Sequence, residues 1–250
     1  MWPRKVLRST IFFCCTVLAT SHTLAATKVT TFTYRAPESE QDVRYDYDTK
    51  LIRLALEKTV NTDGPFELVP SPKMNFERAN AIIQANTLPN FISKNSYKAK
   101  YELQSMAYVP FPVDLGIVGY RVCFAHPKVV TQLSQVTSIE ALRKFTHGQG
   151  NGWLDVEILR HNGFQVNISY SYERLFRMVA MRRFDLFCRG INEFLGELKG
   201  HPNITGLSYD KSIAITYPLP RFFYTNINNQ PALDRVHRGI LMAYKDGSLH

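Results

Sequence analysis

Three glycines alternate in the stretch HGQGNGW, at 148, 150 and 152, and the amphipathic run WLDVEILRHN follows at once. Glycine-rich backbone opening onto a helix start offers unpaired N–H groups and partial positive charge, which suit a carboxylate or a phosphate. A dinucleotide fingerprint would need glycine where Trp153 stands, and a Walker A loop would need Gly-Lys-Ser/Thr, which is absent. The chemistry on offer is therefore capture of a small anion at Gln149, Gly150, Asn151 and Gly152. The other reading is a tight turn whose glycines only satisfy backbone geometry. Asp155, in the first helical turn, would use part of the same field. Trp153 could wall a cleft or staple its helix to a sheet.

Other candidates follow from position. Arg189 ends the apolar run FDLFCRG, and open α/β sheets bind ligands at the carboxyl ends of their strands. It could equally sit in an ion pair with Glu193 or Asp185. Tyr34 and Arg35 end the first strand, at the same kind of edge. Arg121 lies mid-strand and reads as a structural pairing. Glu173 and Arg177 read as a solvated pair on one helix. The histidines at 126, 147, 161, 201 and 237 lack metal-ligand spacing, so no metal and no cofactor is expected. No Gly-x-Ser-x-Gly, Cys-His pair or carboxylate pair suggests hydrolysis.

These residues need elements to hold them. KVTTFTY alternates as a strand, and YDTKLIRLALEKTV has helical spacing with Asp48 as cap. FELVP reads as a strand closed by Pro70 and Pro72. NFERANAIIQAN reads as a helix with Ala79, Ile82 and Ile83 inward, and LPNFIS as a further strand. This β-α-β-α-β order predicts a mostly parallel sheet covered by helices. Pro110 and Pro112 then break the rhythm, and Ile117 to Ala125 reads as one strand after an extended crossing. The rhythm resumes. Thr137 to Glu140 has capping-box spacing before a helix. KFTH is a short strand ahead of the glycines, and Gly163 ends the helix after them. FQVNISY is a strand, SYERLFRMVAMRR a helix, FDLFCRG a strand buried on both faces, and INEFLGELKG a helix. Strands and prolines return the chain to a last helix, QPALDRVHRGILMAYK, with Leu233, Val236, Ile240 and Leu241 on one face. That helix runs out after Asp246-Gly247 with no closing element, which leaves open a longer natural chain or a helix lying edge-on.

The first 26 residues read as a cleaved secretory signal. Arg4, Lys5 and Arg8 precede the apolar core TIFFCCTVLA, about ten residues and too short to span a bilayer. Small residues place the cut near Ala25 or Ala26. Its removal takes Lys+Arg from 30 to 27 against 21 acids, so the formal charge falls from +9 to +6. The excess is scattered, without a basic run interleaved with aromatics, and nucleic acid is not an expected partner. Cys123 and Cys188 remain in the mature chain. They pair in an oxidising compartment if their strands are neighbours, and otherwise are two buried thiols.

A leader, an α/β lobe, a crossing, a second α/β lobe, a return crossing and a late helix ending KDGSL resemble the periplasmic solute-binding proteins of family 3, the type II, amino-acid-binding kind. The likeness spans about Thr27 to His250 and is carried by TYRA, TKLIRLALEKT, HGQGNGWLDVEILRHNGFQV, LFRMVAMRRFDLFCRG and PALDRVHRGILMAYKDGSL in that order. It implies an α/β, two-lobed fold. Lobe 1 would be 27–113 plus 222–250 and lobe 2 would be 114–221, with hinge strands near Val113–Arg121 and Thr216–Tyr224. It implies a monomer in the periplasm that closes on a small solute and passes it to a membrane permease, or to a sensor. It places the ligand's anionic group at Gln149 to Gly152, with Tyr34, Trp153, Arg189 and Glu193 around it. Two departures stand out. The family's carboxylate-gripping Arg is missing from SKNSYKAKYELQ, which offers Lys98 and Lys100. Arg189 stands where the family grips the ligand amine with an acid, and Glu193 comes a turn later. Both make a free α-amino acid a doubtful ligand. The scaffold also hosts dehydratases, in which Arg189 and Glu193 would orient substrate and move a proton.

Overall fold

The computed structural model describes residues 28–249. The predicted leader lies outside the described residues. The order is β1 (Thr30–Tyr34), α1 (Asp46–Lys58), α2 (Val60–Asp63), β2 (Phe66–Pro70), α3 (Phe76–Ala85), β3 (Phe91–Ser96) and β4 (Met106–Tyr108). There follow β5 (Tyr120–Ala125), α4 (Pro127–Leu133), α5 (Ile139–Leu142), β6 (His147–Gly150), α6 (Leu154–His161), β7 (Val166–Ser169) and α7 (Tyr172–Ala180). The chain closes with β8 (Leu186–Gly190), α8 (Ile191–Gly200), β9 (Ser208–Tyr209), β10 (Ile215–Thr216), β11 (Arg221–Asn226) and α9 (Gln230–Lys245).

These strands form two sheets, ordered β2-β1-β3-β11-β4 and β10-β5-β8-β6-β7, with β9 also paired to β5. In the first, β1 runs parallel to β2 and β3, and β11 returns antiparallel between β3 and β4. In the second, β6 is parallel to β7 and β8, and β5 is antiparallel to β8. The chain passes between the sheets twice, from β4 to β5 and from β10 to β11.

Strand periodicity of two sends successive side chains to opposite faces, so each sheet carries two cores. Phe223 packs with α1 and α9 while its neighbour Tyr224 packs with α3. Cys123 faces the core beneath α4 and α6, and Phe124 faces the one beneath α7 and α8. Each fully buried Phe contributes roughly 1.5–3 kcal/mol. Gly239 permits the closest helix contact, since a Cβ there would sit 2.0 Å from the Ala55 carbonyl oxygen of α1.

Several local expectations are corrected. Asp48 does not cap α1. It lies inside the first turn, buried, and pairs with Lys94 at 2.5 Å, while Tyr45 is the N-cap. Ile117–Gly119 is a 3₁₀ turn rather than the start of β5. Ser138, not Thr137, caps α5 and accepts from the Ala141 N–H. Helix α4 is an addition to the expected elements; its Pro127 sits in the first turn and His126 Nδ1 accepts from the Lys128 N–H. Leu241 is 45% exposed, off the packed face of α9. The largest correction is that the glycine stretch is itself a strand. KFTH contributes only its last residue to β6, and every residue of β6 is buried. A Cβ on Gly148 would strike the Phe184 ring and one on Gly150 the Trp153 ring, so glycine lets aromatics cover the strand.

Cys123 and Cys188 are register partners on β5 and β8, and they form a disulfide. Adjacency of the strands decides what spacing along the chain left open.

Candidate functional site

A cavity of about 60 Å³ lies between the two sheets. On the side of the first sheet its wall comes from the end of β1 (Arg35), the loop after it (Arg44, Tyr45), Phe76 of α3, and β3 with its sequel (Lys94, Asn95, Lys98). On the side of the second sheet it comes from Arg121 of β5, Trp153 with the first turn of α6, Arg189 of β8 and Glu193 of α8. Arg221, at the start of β11, closes it from the return crossing.

The charges are cross-braced. Arg189 binds Glu197 through Nε at 2.8 and 3.0 Å and reaches Glu193 Oε2 at 3.0 Å. Its guanidinium lies 4.8 Å from the Trp153 ring centroid. Arg121, 1% exposed, pairs with Asp155 Oδ1 at 2.8 Å and donates to the carbonyls of Val118 and Cys188. Arg221 donates to Asp114 Oδ2 at 2.5 Å and Glu193 Oε1 at 2.8 Å. Lys94 pairs with Asp48 and Asp114. Burial opposes ionisation of Glu193, but Arg189, Arg221 and Arg121 outweigh it and hold this carboxyl well below the usual range. Burial likewise opposes ionisation of Asp114, and Arg221 with Lys94 reverses the effect. Burial and the neighbouring Asp155 raise the Tyr217 hydroxyl well above its ordinary value.

Some polar atoms on the wall are buried without a partner among the described residues. They are Arg35 Nε, Arg121 Nε, Arg221 Nη2 and Asn95 Oδ1. Helix α6 adds donors. Its N-cap, Trp153, supplies no side-chain cap, and the first-turn N–H groups of Leu154 and Asp155 have no acceptor within the helix.

The halves touch across this site. Lys98 Nζ donates to the Gly152 carbonyl at 2.9 Å and to Glu157 at 2.7 Å. Ser39 donates to Glu173 at 2.6 Å, and the Arg44 guanidinium lies 3.6 Å from the Tyr172 ring centroid. Gly152 has φ +78, and a Cβ there would lie 1.6 Å from Glu77 Oε1. Glycine at 152 thus serves a left-handed turn and the approach of α3.

Of the expected site residues, the fold brings Trp153, Arg189 and Glu193 to the cavity. Trp153 both walls the cavity and packs on Gly150. Gly150 and Asn151 line a smaller recess of about 20 Å³ with Glu38, Phe76 and Tyr172. Gln149 reaches neither recess. It is fully buried within the sheet, its Nε2 3.5 Å from the Cys188 carbonyl. Tyr34 is also absent from the cavity, because strand alternation turns it onto the α1–α9 core and sends Arg35 inward. Arg189 pairs with Glu193 and Glu197 rather than Asp185, which accepts from Thr146. Glu173 bonds Ser39 and His201, so it is no solvated partner of Arg177. Sequence reading missed Arg44, Lys94, Asn95, Asp114, Glu197 and Arg221. The signal for two of them was present, since Lys94 and Arg221 are charges set in apolar strands, FISKNS and RFFYTN.

Two helix-flanked sheets, linked twice and clasping a charged cavity, define the two-lobed type II periplasmic-binding fold. No protein-family model matches the sequence, and no curated protein does. Solved structures do match. An ancestral arginine-binding protein bound to arginine is 14% identical, with a TM-score of 0.63 over 90% of this chain and 96% of its own. The GluR0 ligand-binding core from Nostoc punctiforme in complex with L-glutamate is 14% identical, with a TM-score of 0.61 over 88% and 95%. A histidine kinase sensor domain with similarity to periplasmic binding proteins is 13% identical, with a TM-score of 0.64 over 89% and 93%.

Proposed function

We propose that this chain is an extracytoplasmic solute-binding protein. It captures a small polar solute bearing an anionic group between its two lobes, 27–113 plus 222–250 and 114–221. It then delivers that solute to a membrane transporter. The observation that carries the reading is a set of buried guanidinium N–H groups without partners among the described residues, all on arginines that line one interlobe cavity. A buried donor left unpaired costs about 1–3 kcal/mol, so three of them favour an acceptor-rich guest. The first-turn N–H groups of α6 add to the same field, although Asp155 and Glu157 in that turn use part of it. In this reading Arg35, Arg121 and Arg221 face the anion, Trp153 walls the site, and Arg189 and Glu193 form the brace behind it.

The crossings at 109–119 and 217–220 act as hinges, and Lys98 latches the closed form. The leader routes the chain to the periplasm, where the disulfide persists. A second reading, a sensory input module, draws on the likeness to the kinase sensor domain. The two readings share the site and differ in what the closed lobes touch.

The test is a melting-temperature screen of the leaderless protein against carboxylates, amino acids, small peptides and phosphorylated solutes. Ligand at about a hundred times its dissociation constant adds roughly 2.7 kcal/mol. For a chain of this size that raises Tm by about 5–10 °C. The same solute should leave no product over hours. A flat screen across all four classes removes the reading.

A further inference from the structure

The cavity is built unevenly with respect to charge sign. Both carboxylates on its wall already face cations of the protein. Asp155 Oδ1 accepts from Arg121 at 2.8 Å and from the Tyr217 hydroxyl at 2.6 Å. Glu193 Oε1 accepts from Arg221 at 2.8 Å, and its Oε2 accepts from the Gly190 N–H at 3.2 Å and Arg189 at 3.0 Å. Carboxylates behind the wall are engaged too: Glu197 on Arg189, Asp48 and Asp114 on Lys94, Asp42 on Arg44. Each of these acids already serves a fixed cation of the protein.

Acceptor-seeking groups, by contrast, remain. Arg35 Nε, Arg121 Nε and Arg221 Nη2 lack partners among the described residues. Among the buried, unpartnered atoms of the described wall residues there is also an acceptor, and it is neutral. Asn95 is 1% exposed, its Nδ2 donates to Asn80 Oδ1 at 2.8 Å, and its Oδ1 is unpartnered. The cavity is also small, which favours a compact solute.

From this geometry we propose that the solute is a small 2-hydroxy acid, and not a zwitterionic α-amino acid. This deepens the solute-binding reading above and rests on it. The carboxylate takes the free guanidinium donors. The hydroxyl donates to Asn95 Oδ1, a neutral acceptor that suits O–H and leaves an ammonium's charge uncompensated in a buried site. Lactate and alanine make the decisive pair, because they have the same size and differ at one substituent, hydroxyl against ammonium. A site built to reject one of two such ligands does so by withholding the counter-charge, which is specificity through an unmet requirement.

The experiment is isothermal titration of the leaderless protein with L-lactate, D-lactate, L-alanine, acetate and inorganic phosphate. One lactate enantiomer is expected to bind at least about a hundredfold more tightly than alanine, and acetate more weakly than lactate for want of the hydroxyl. Asn95→Asp puts a carboxylate where the neutral acceptor stands. It should move the lactate-to-alanine affinity ratio toward alanine by at least about tenfold. The wild-type comparison decides the matter even if that variant fails to fold. Alanine binding as tightly as lactate overturns the inference and leaves the solute-binding reading intact. So does capture of phosphate or a larger amino acid with lactate silent. Failure of every solute, here and in the broader melting screen, overturns both.

Discussion

Removal of the Cys123–Cys188 bridge by a Cys123→Ala/Cys188→Ala double variant should lower stability by an amount that chain statistics predict. The bond closes a loop spanning 65 positions of sequence. Restricting that loop in the unfolded chain corresponds to about 4 kcal/mol at 25 °C. The two sulfurs are also buried, with the cysteines 3% and 1% exposed in the core under α4 and α6, so their loss leaves packing defects that add to the cost. For a chain of this length, 4 kcal/mol translates to a fall of about 8–16 °C in Tm. Circular dichroism melts of the oxidised wild type and the double variant, both leaderless, measure it. The bridge lies wholly within the second sheet, so if the halves melt separately only one transition should move. A double variant melting within about 3 °C of wild type would falsify the argument, because the loop would then be restrained without the bond.

Three further outcomes are expected. Burial drives the His147 imidazole down to about 4, so its neutral form is built into the fold and the unfolded chain binds the proton first. Stability should fall by roughly 3 kcal/mol as pH drops from about 6.5 to 4, separate from the carboxylate losses expected below about 4. Urea titrations of wild type and His147→Leu should show that slope only in the wild type. Gly239→Ala should cost about 3 kcal/mol or more in urea, because its Cβ would meet the Ala55 carbonyl oxygen at 2.0 Å; an unchanged midpoint would mean that α1 and α9 separate freely. Lys98→Ala removes two interlobe bonds to or from a charged group, roughly 1.5–3 kcal/mol each where shielded and less at the half-exposed Glu157. Its solution scattering should show a larger radius of gyration than wild type in the absence of solute, and an identical profile counts against the latch.

Elements with a strong local period were legible in the sequence. The spacing of Leu51, Leu54, Ala55 and Lys58 marks α1, although its buried face takes Ile52 and Leu56 in place of Leu54 and Lys58, and Leu233, Val236 and Ile240 build α9, because an apolar stripe must bury itself whatever lies opposite. Alternation and the order of strands and helices sufficed for an α/β architecture on two sheets. The glycine stretch was not legible as a strand, because β6 gains its cover from Phe184 and Trp153 rather than from side chains of its own. The cysteine bond needed the register of β5 on β8. The site needed more still. Arg221 meets Asp114 across 107 positions and Glu193 across 28, and Lys98 meets Glu157 across 59. Lys98 illustrates the limit well: in sequence it marks a missing arginine, and in the fold it ties one lobe to the other. Periodicity is a property of neighbours along the chain and can be read there. Which buried charge is satisfied, and which donor is left facing a cavity, depends on groups brought together only when the two sheets close.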